Sequence, residues 1–450
     1  MMMKYEEIMR GIDQRIAEGK LKPGSKLPSI RSLSQELSCS RNTVIKAYDQ
    51  LEKKHLIYAV PKSGYYIVDS YLSRKGNPKA NKKIDFLSAG PDKQAMPFRD
   101  YQHCINQAID LYKEDMFSYS EIQGLYSLRV QLSKQLQDLQ VFTPPERICV
   151  VTGSQQALHL LASLPFPNGK TNICLEQPTH SGFIESIQHQ KAVAFGIERN
   201  SRGIDLQYLE EIFKHHDIKC FYTVSRFHNP TGHSYTNVEK KKIVELAQKY
   251  DVYIIEDDYM GDLDTNLKQD PMYAYNPSGR VIYTKSFSKV MLPGLRLGLA
   301  VIPEPMIKSF LQAKYAADLH TPVLTQGALE IYLKSGMFHA HIQKMRTMYT
   351  NKGMVLQEAF KTYLRPSSYS CSLSGFYSTI ELPKQLKATK LIERLKLEDV
   401  YVDRTNHMYL PDYKKENIIR LSVSQVEVES INIGVKKIAE GISRLLKERR

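Results

Sequence analysis

Apolar residues recur at helical spacing along the first fifty positions. Ile8, Ile12 and Ile16 share one face between Tyr5 and Ile16, which predicts an amphipathic helix. Gly19 and the Lys22-Pro23-Gly24 run end it. Pro28-Ser29 opens a second helix with Ile30, Leu33 and Leu37 on one face. Ser38-Cys39-Ser40 makes a short turn, and Ser40 can cap a third helix whose Val44, Ala47, Tyr48 and Leu51 point inward. The pattern then turns strand-like. Tyr58-Ala59-Val60, a Lys62-Ser63-Gly64 turn and Tyr65-Tyr66-Ile67-Val68 read as a small hairpin.

Helix, helix, recognition helix and hairpin make a winged helix-turn-helix domain of the α+β type over residues 1–69. Residues 70–83 hold Lys, Asn, Gly and Pro with little apolar content and read as a linker. From Ile84 onward, strands alternate with helices: Ile148–Thr152 then Gln155–Ser163, Asn172–Glu176 then Gly182–Gln190, Cys220–Ser225 then Asn237–Tyr250, and Val252–Glu256. That alternation predicts an α/β domain with a mainly parallel sheet. A last stretch, with strands at Phe376–Leu382 and Ile418–Val423, reads as a smaller α+β lobe. The expected division of residues 84–450 is a large part over about 84–335 and a small lobe over about 336–450.

Charge sharpens this picture. The chain of 450 residues carries a net +14, yet residues 1–83 alone hold 17 Lys and Arg against 8 Asp and Glu. A basic end on a near-neutral body is the footprint of a nucleic-acid-binding module. The six cysteines stand at no CxxC spacing, and several lie in apolar runs. They argue for a reducing compartment and against a zinc site, so no metal is expected. The N-terminus carries charges where a signal peptide needs an apolar run, and no stretch reaches the length of a membrane span. A soluble, cytoplasmic protein without a membrane partner is expected.

Candidate chemistry gathers at the ends of the predicted strands, where open α/β sheets bind ligands. Val252 to Glu256 runs into Asp257-Asp258-Tyr259, and Val281-Ile282-Tyr283 precedes Ser286-Phe287-Ser288-Lys289. Val150-Val151-Thr152 leads to Gly153-Ser154-Gln155-Gln156 at a helix start, where free N–H groups hold anions. A phosphate there could also meet Ser286, Ser288 and Arg296, whose fork can bind two oxygens at once. Pyridoxal phosphate needs such a cup, an amine for a Schiff base, a carboxylate against the ring nitrogen and donors at the phenolic oxygen. Lys289, Asp257, and Tyr259 with Asn229 of Asn229-Pro230-Thr231-Gly232 can supply them.

Ser-Phe-Ser-Lys followed by Pro-Gly-Leu-Arg makes residues 84–450 resemble the fold-type I, aspartate-aminotransferase-like family of pyridoxal-phosphate enzymes. The resemblance implies that Lys289, rather than Lys285, is the imine lysine, and that Asp257 and Tyr259 act beside it. It implies that Arg420, in Ile418-Ile419-Arg420-Leu421-Ser422, grips a substrate or effector carboxylate. It implies that Tyr119 is given across a homodimer to the neighbour's phosphate. One position departs from the family pattern. The run Glu176-Gln177-Pro178-Thr179-His180 places His180 where an aromatic ring usually stacks on the cofactor, with Phe183 as a substitute.

Residues 1–69 resemble the GntR-type winged helix through Pro23-Gly24, Lys26-Leu27-Pro28-Ser29, Arg31, Ser40-Arg41-Asn42-Thr43-Val44 and Tyr48. This implies that Arg31 and Arg41 approach base edges of double-stranded operator DNA, that Asn42, Thr43 and Lys46 contact bases or phosphates, and that Lys62 and Gly64 enter the minor groove. The fusion, in this order, is similar to the MocR subfamily of GntR bacterial transcription factors. Three functions follow as expectations. One is a regulator that senses an amine or amino acid through a Schiff base at Lys289. Another is a working aminotransferase with an appended DNA-binding module. The third is a sensor of pyridoxal phosphate itself.

Overall fold

The computed structural model describes residues 4–18, 20–21, 25–53, 56–60, 63–67, 83–200, 202–266, 268–276, 278–371 and 375–448. They form two units, divided between Asn81 and Lys82. The expected linker therefore lies, except for Lys83, outside the described residues.

In the first unit the helices run Lys4–Ala17, Ile30–Glu36 and Arg41–Lys53, and strands Ile57–Val60 and Gly64–Ile67 pair antiparallel. Ile8, Ile12, Leu33, Val44, Ala47, Tyr48, Leu51, Ile57 and Ile67 share one core. Tyr48 anchors it twice. Its hydroxyl donates to the Pro28 carbonyl at 2.8 Å, and its ring meets Tyr65 edge-on at 4.8 Å. Leu37 departs from the expected inward face and is 45% exposed. The second helix stops at Glu36, and Ser38 takes a left-handed φ of 47°, which turns Leu37 off the helical stripe. Ser29 caps this helix by accepting from the Ser32 N–H at 3.1 Å. Ser29→Ala should cost the unit about 1 kcal/mol, visible as faster amide exchange across Ile30–Glu36.

The second unit is built on an eight-stranded sheet. Its strands lie in the order Ile148–Val151, Gly298–Val301, Val281–Ser286, Tyr253–Asp257, Ile218–Thr223, Asn172–Gln177, Ala194–Asn200 and Gly203–Ile204. Adjacent strands from Val281–Ser286 to Ala194–Asn200 pair parallel. Gly298–Val301 is antiparallel to both neighbours, a reversal the apolar pattern does not announce. The central strands are buried along their whole length, as a sheet covered on both faces requires.

A smaller four-stranded antiparallel sheet carries Tyr369–Cys371, Tyr377–Glu381, Ile418–Ser422 and Asp403–Arg404 in that order. Packing draws the lobe boundary differently from a cut at residue 336. Strand Ile84–Asp85 pairs with Val400–Tyr401, and Ile84 and Phe86 join the small core. Helix Met337–Tyr363 serves both cores: Phe338, Ile342, Met345 and Tyr349 belong to the large one, Leu356, Ala359 and Phe360 to the small one.

A buried polar knot fixes the strand ends under the site. Glu176, fully buried, accepts from Arg199, Tyr235 and Thr223, each at 2.6 Å. Arg199 also donates to the carbonyls of Val224 at 2.7 Å and His233 at 3.0 Å, and its guanidinium lies 3.9 Å from the Tyr235 ring centre. Three strands and the turn carrying Asn229 are thereby tied together. The two charges of this knot, Glu176 and Arg199, pair with each other, as burial demands.

Candidate functional site

Two aspartates end the strand Tyr253–Asp257, and their partners divide their roles. Asp258 is buried and pairs with the Arg226 guanidinium and the Tyr283 hydroxyl. Burial alone would raise its carboxyl, but Arg226 outweighs this and holds it below the usual range. Asp257, 3% exposed, accepts among the described residues from the Tyr222 hydroxyl at 3.0 Å and Thr284 Oγ1 at 3.2 Å. Burial pushes its carboxyl up to about 7 against those two hydrogen bonds. A buried carboxylate without a bonded cation calls for a cationic partner at that spot, which a protonated ring nitrogen would satisfy.

Lysines are sorted the same way. Lys285 is fully buried on strand Val281–Ser286 and ion-paired with Asp262. Lys289, three residues beyond that strand, is half-buried, and its Nζ donates to the Ala89 carbonyl at 2.7 Å. It lies 5.8 Å from the Tyr377 ring centre, and its charge helps depress His180. Of the two, only Lys289 has an amine not committed to a carboxylate.

The anion side assembles around Gly153, with φ 79°, just before helix Ser154–Ser163. A Cβ at Gly153 would crowd the movable Arg296 guanidinium, and the positive φ itself favours glycine here. Arg296 donates to Ser288 Oγ at 3.3 Å, and the Ser288 N–H donates to Ser286 Oγ at 3.2 Å. Ser154, Ser286, Ser288 and Arg296 thus meet at a helix N-terminus. Gln155 turns its amide away from this group: its Nε2 donates to the Gly182 carbonyl at 2.7 Å, and its Oε1 faces His180 Nε2 at 2.9 Å. Burial first, and Lys289 second, lower His180 to about 4. The ring is therefore neutral, and Nε2 carries the proton it gives Gln155.

At the other end, Tyr259 donates to the Phe227 carbonyl at 2.7 Å. Asn229 Oδ1 accepts from Arg420 at 3.3 Å. Arg420 lies on strand Ile418–Ser422, with its guanidinium 5.3 Å from the Tyr377 ring centre. Phe183 is buried against Tyr222, with ring centres 4.3 Å apart. Tyr119 is 87% exposed, its ring edge-on to His320, and among the described residues no hydrogen bond or ring contact joins it to the other candidates.

Sequence reasoning missed Tyr222, Tyr377 and Asp403. Tyr222 lies on a strand that was read, one whose end reaches the site. Tyr377 and Thr379 share a sheet face, and Thr379 pairs with Arg420 across the strands. The Tyr377 hydroxyl is buried with no partner among the described residues.

In the first unit Arg31, Arg41, Asn42 and Lys46 are exposed. Lys46 Nζ lies 4.4 Å from the Tyr5 ring centre. Thr43 is half-buried: its N–H donates to Ser40 Oγ at 3.2 Å, and the two hydroxyls lie 2.8 Å apart. Gly64 begins the second hairpin strand with φ 125°. Lys62 lies outside the described residues.

Residues 90–438 match the family described as aminotransferase class I and II, and residues 4–67 match the bacterial regulatory proteins of the gntR family. The chain is 43% identical over 441 residues to YcxD of Bacillus subtilis (strain 168), an uncharacterized HTH-type transcriptional regulator, covering 97% of this chain and 99% of that one. Among solved structures, kynurenine aminotransferase of Pyrococcus horikoshii is similar with TM-score 0.75 and 26% identity, over 82% of this chain and 92% of that one. LysN of Thermus thermophilus, an alpha-aminoadipate aminotransferase complexed with N-(5'-phosphopyridoxyl)-L-leucine, is similar with TM-score 0.74 and 26% identity, over 81% and 93%. The chain belongs to the aminotransferase class I and II family, joined at its N-terminus to a gntR-family domain in the MocR-type architecture.

Proposed function

We propose that this protein is a pyridoxal-phosphate-dependent, DNA-binding transcriptional regulator whose aminotransferase-like unit senses a primary amine or amino acid. The observation that carries the reading is the Asp257 carboxylate, buried with no ion pair among the described residues, on a chain that also bears a gntR-family domain. When bound, the cofactor supplies an aldehyde that can condense with the Lys289 amine, as a Schiff base, or with an effector amine in its place. Asp257, steadied by Tyr222 and Thr284, would hold a protonated ring nitrogen. Ser154, Ser286, Ser288 and Arg296 would hold the phosphate. Gln155 holds His180, whose ring would lie against the cofactor ring. Tyr259 and Asn229 would serve the phenolic oxygen, and Arg420, bonded to Asn229, would meet the far end of the effector.

Two copies complete the site in this reading. Phe117 and Tyr119, 85% and 87% exposed, border one groove with His320 and Val323. We place the partner copy on this exposed groove, and Tyr119 would cross it to the partner's phosphate side. No helix among the described residues is long and apolar enough to cross a membrane, and the bacterial cytoplasm is the proposed location.

The DNA face uses Arg31, Arg41, Asn42, Thr43, Lys46, Lys62 and Gly64. A gel shift on the region upstream of its own gene, with and without cofactor and amine, tests the proposal. Specific, salt-sensitive binding that changes with ligand is expected, and no specific binding in any state would end it. Arg41→Ala should weaken binding by roughly 1–3 kcal/mol while leaving the visible band of the bound cofactor unchanged.

Asn229, in place and bonded to Arg420, favours a second reading, a working aminotransferase with an appended DNA-binding module. Rapid, repeated conversion of the cofactor to its amine form by amino acids would establish it. Dependence of DNA affinity on the cofactor alone, without amine, would instead identify a sensor of pyridoxal phosphate.

A further inference from the structure

Arg420 does not present an unbalanced charge. In the small sheet it pairs directly with Asp403, and its Nη2 lies 2.7 Å from Asp403 Oδ2. Both side chains are largely buried, 9% and 16% exposed. The antiparallel register places these two residues opposite one another, so the pair is a property of the strands. His407 Nε2 comes within 3.9 Å of the same carboxylate oxygen, beyond hydrogen-bond length.

The remaining donors tell what is missing. Nη1 reaches Asn229 and Nη2 also reaches the Leu87 carbonyl. Arg420 Nε has no partner among the described residues, nor does the Tyr377 hydroxyl in the ring beneath the guanidinium. Buried donors without partners ask for an acceptor. A carboxylate arriving there would share one guanidinium with Asp403, setting two like charges together in a site of low dielectric. A neutral oxygen satisfies the same donors without that repulsion.

We propose that Asp403 is a specificity-determining residue, and that the ligand is a primary amine whose far end carries a neutral oxygen acceptor (an amide, carbonyl or hydroxyl) in place of a free carboxylate. This rests on the cofactor reading above. Discrimination here comes from a built-in repulsion against the wrong ligand.

The test uses the full chain loaded with pyridoxal phosphate. A visible band that borohydride fixes on Lys289 establishes the cofactor reading first, and its absence is a failure of that reading alone. Leucine and leucinamide, equal in shape and different in charge, are then titrated against the band in the wild type and in Asp403→Asn. The wild type is expected to bind leucinamide more tightly. Asp403→Asn should shift the ratio of the two dissociation constants toward leucine by on the order of tenfold or more. Far-UV dichroism and a melting curve of the variant keep a folding defect apart from a change of preference. Tighter binding of leucine by the wild type, a ratio that Asp403→Asn leaves unchanged, or no response to either ligand in both proteins would overturn the proposal.

Discussion

Lys289→Ala, mixed with pyridoxal phosphate, is expected to show no absorbance beyond that of the free aldehyde and to carry no label near residue 289 after borohydride. The wild type should show both. The stability of the variant should fall by roughly 1–3 kcal/mol, because the side chain is half-buried and among the described residues makes one hydrogen bond, from its ammonium to the Ala89 carbonyl. Lys285→Ala should do the reverse. That lysine is fully buried against Asp262, and removing it leaves a carboxylate buried and unpaired, at a cost of roughly 3–5 kcal/mol. Its visible band should survive at temperatures where the protein remains folded. Chemical denaturation and absorbance spectra of the two variants, side by side, check the pair. A band retained by Lys289→Ala and lost by a folded Lys285→Ala would reverse the assignment of the amine.

That contrast marks what the chain discloses before it folds. The order of the motifs, each following an apolar run, was enough to bring Asp257, Lys289, Ser286, Ser288 and Arg296 to neighbouring strand ends. Period-two and period-3.6 patterns are local, so the elements were readable within a few residues. Strand neighbours are not local. Asp403 is opposite Arg420 because two short strands align in one register, and nothing in the sixteen residues between them reports it. Tyr377 belongs to the site for the same reason. Asp257 is named from the sequence, and the structure adds what its neighbour Asp258 does. Both end one strand, yet Arg226 and Tyr283 claim only the second. Tyr119 is exposed beside His320, apart from the other candidates, so the role proposed for it rests on a second copy.

Asp257→Asn should raise stability and lower cofactor affinity at once, an opposition that separates a ligand-binding carboxylate from a structural one. In the cofactor-free protein, burial lifts the Asp257 carboxyl to about 7 from its ordinary 3.8. The folded state then holds a proton that the unfolded chain has released. Stability from this group is fully present below about pH 4 and is lost as pH rises through 7. By pH 8 the loss amounts to roughly 4 kcal/mol. An asparagine keeps the shape and carries no charge to desolvate, so the variant should match the wild type near pH 4 and melt above it at pH 8. With cofactor the sign inverts. The ring nitrogen loses its counter-charge in a buried site, and affinity should fall by roughly 2–5 kcal/mol. Melting curves at pH 4, 6 and 8, without cofactor and at saturation, measure both halves. Parallel pH profiles for the two cofactor-free proteins would mean that Asp257 is already neutralised by a partner in the protein, and the place assigned to the ring nitrogen would be lost with it.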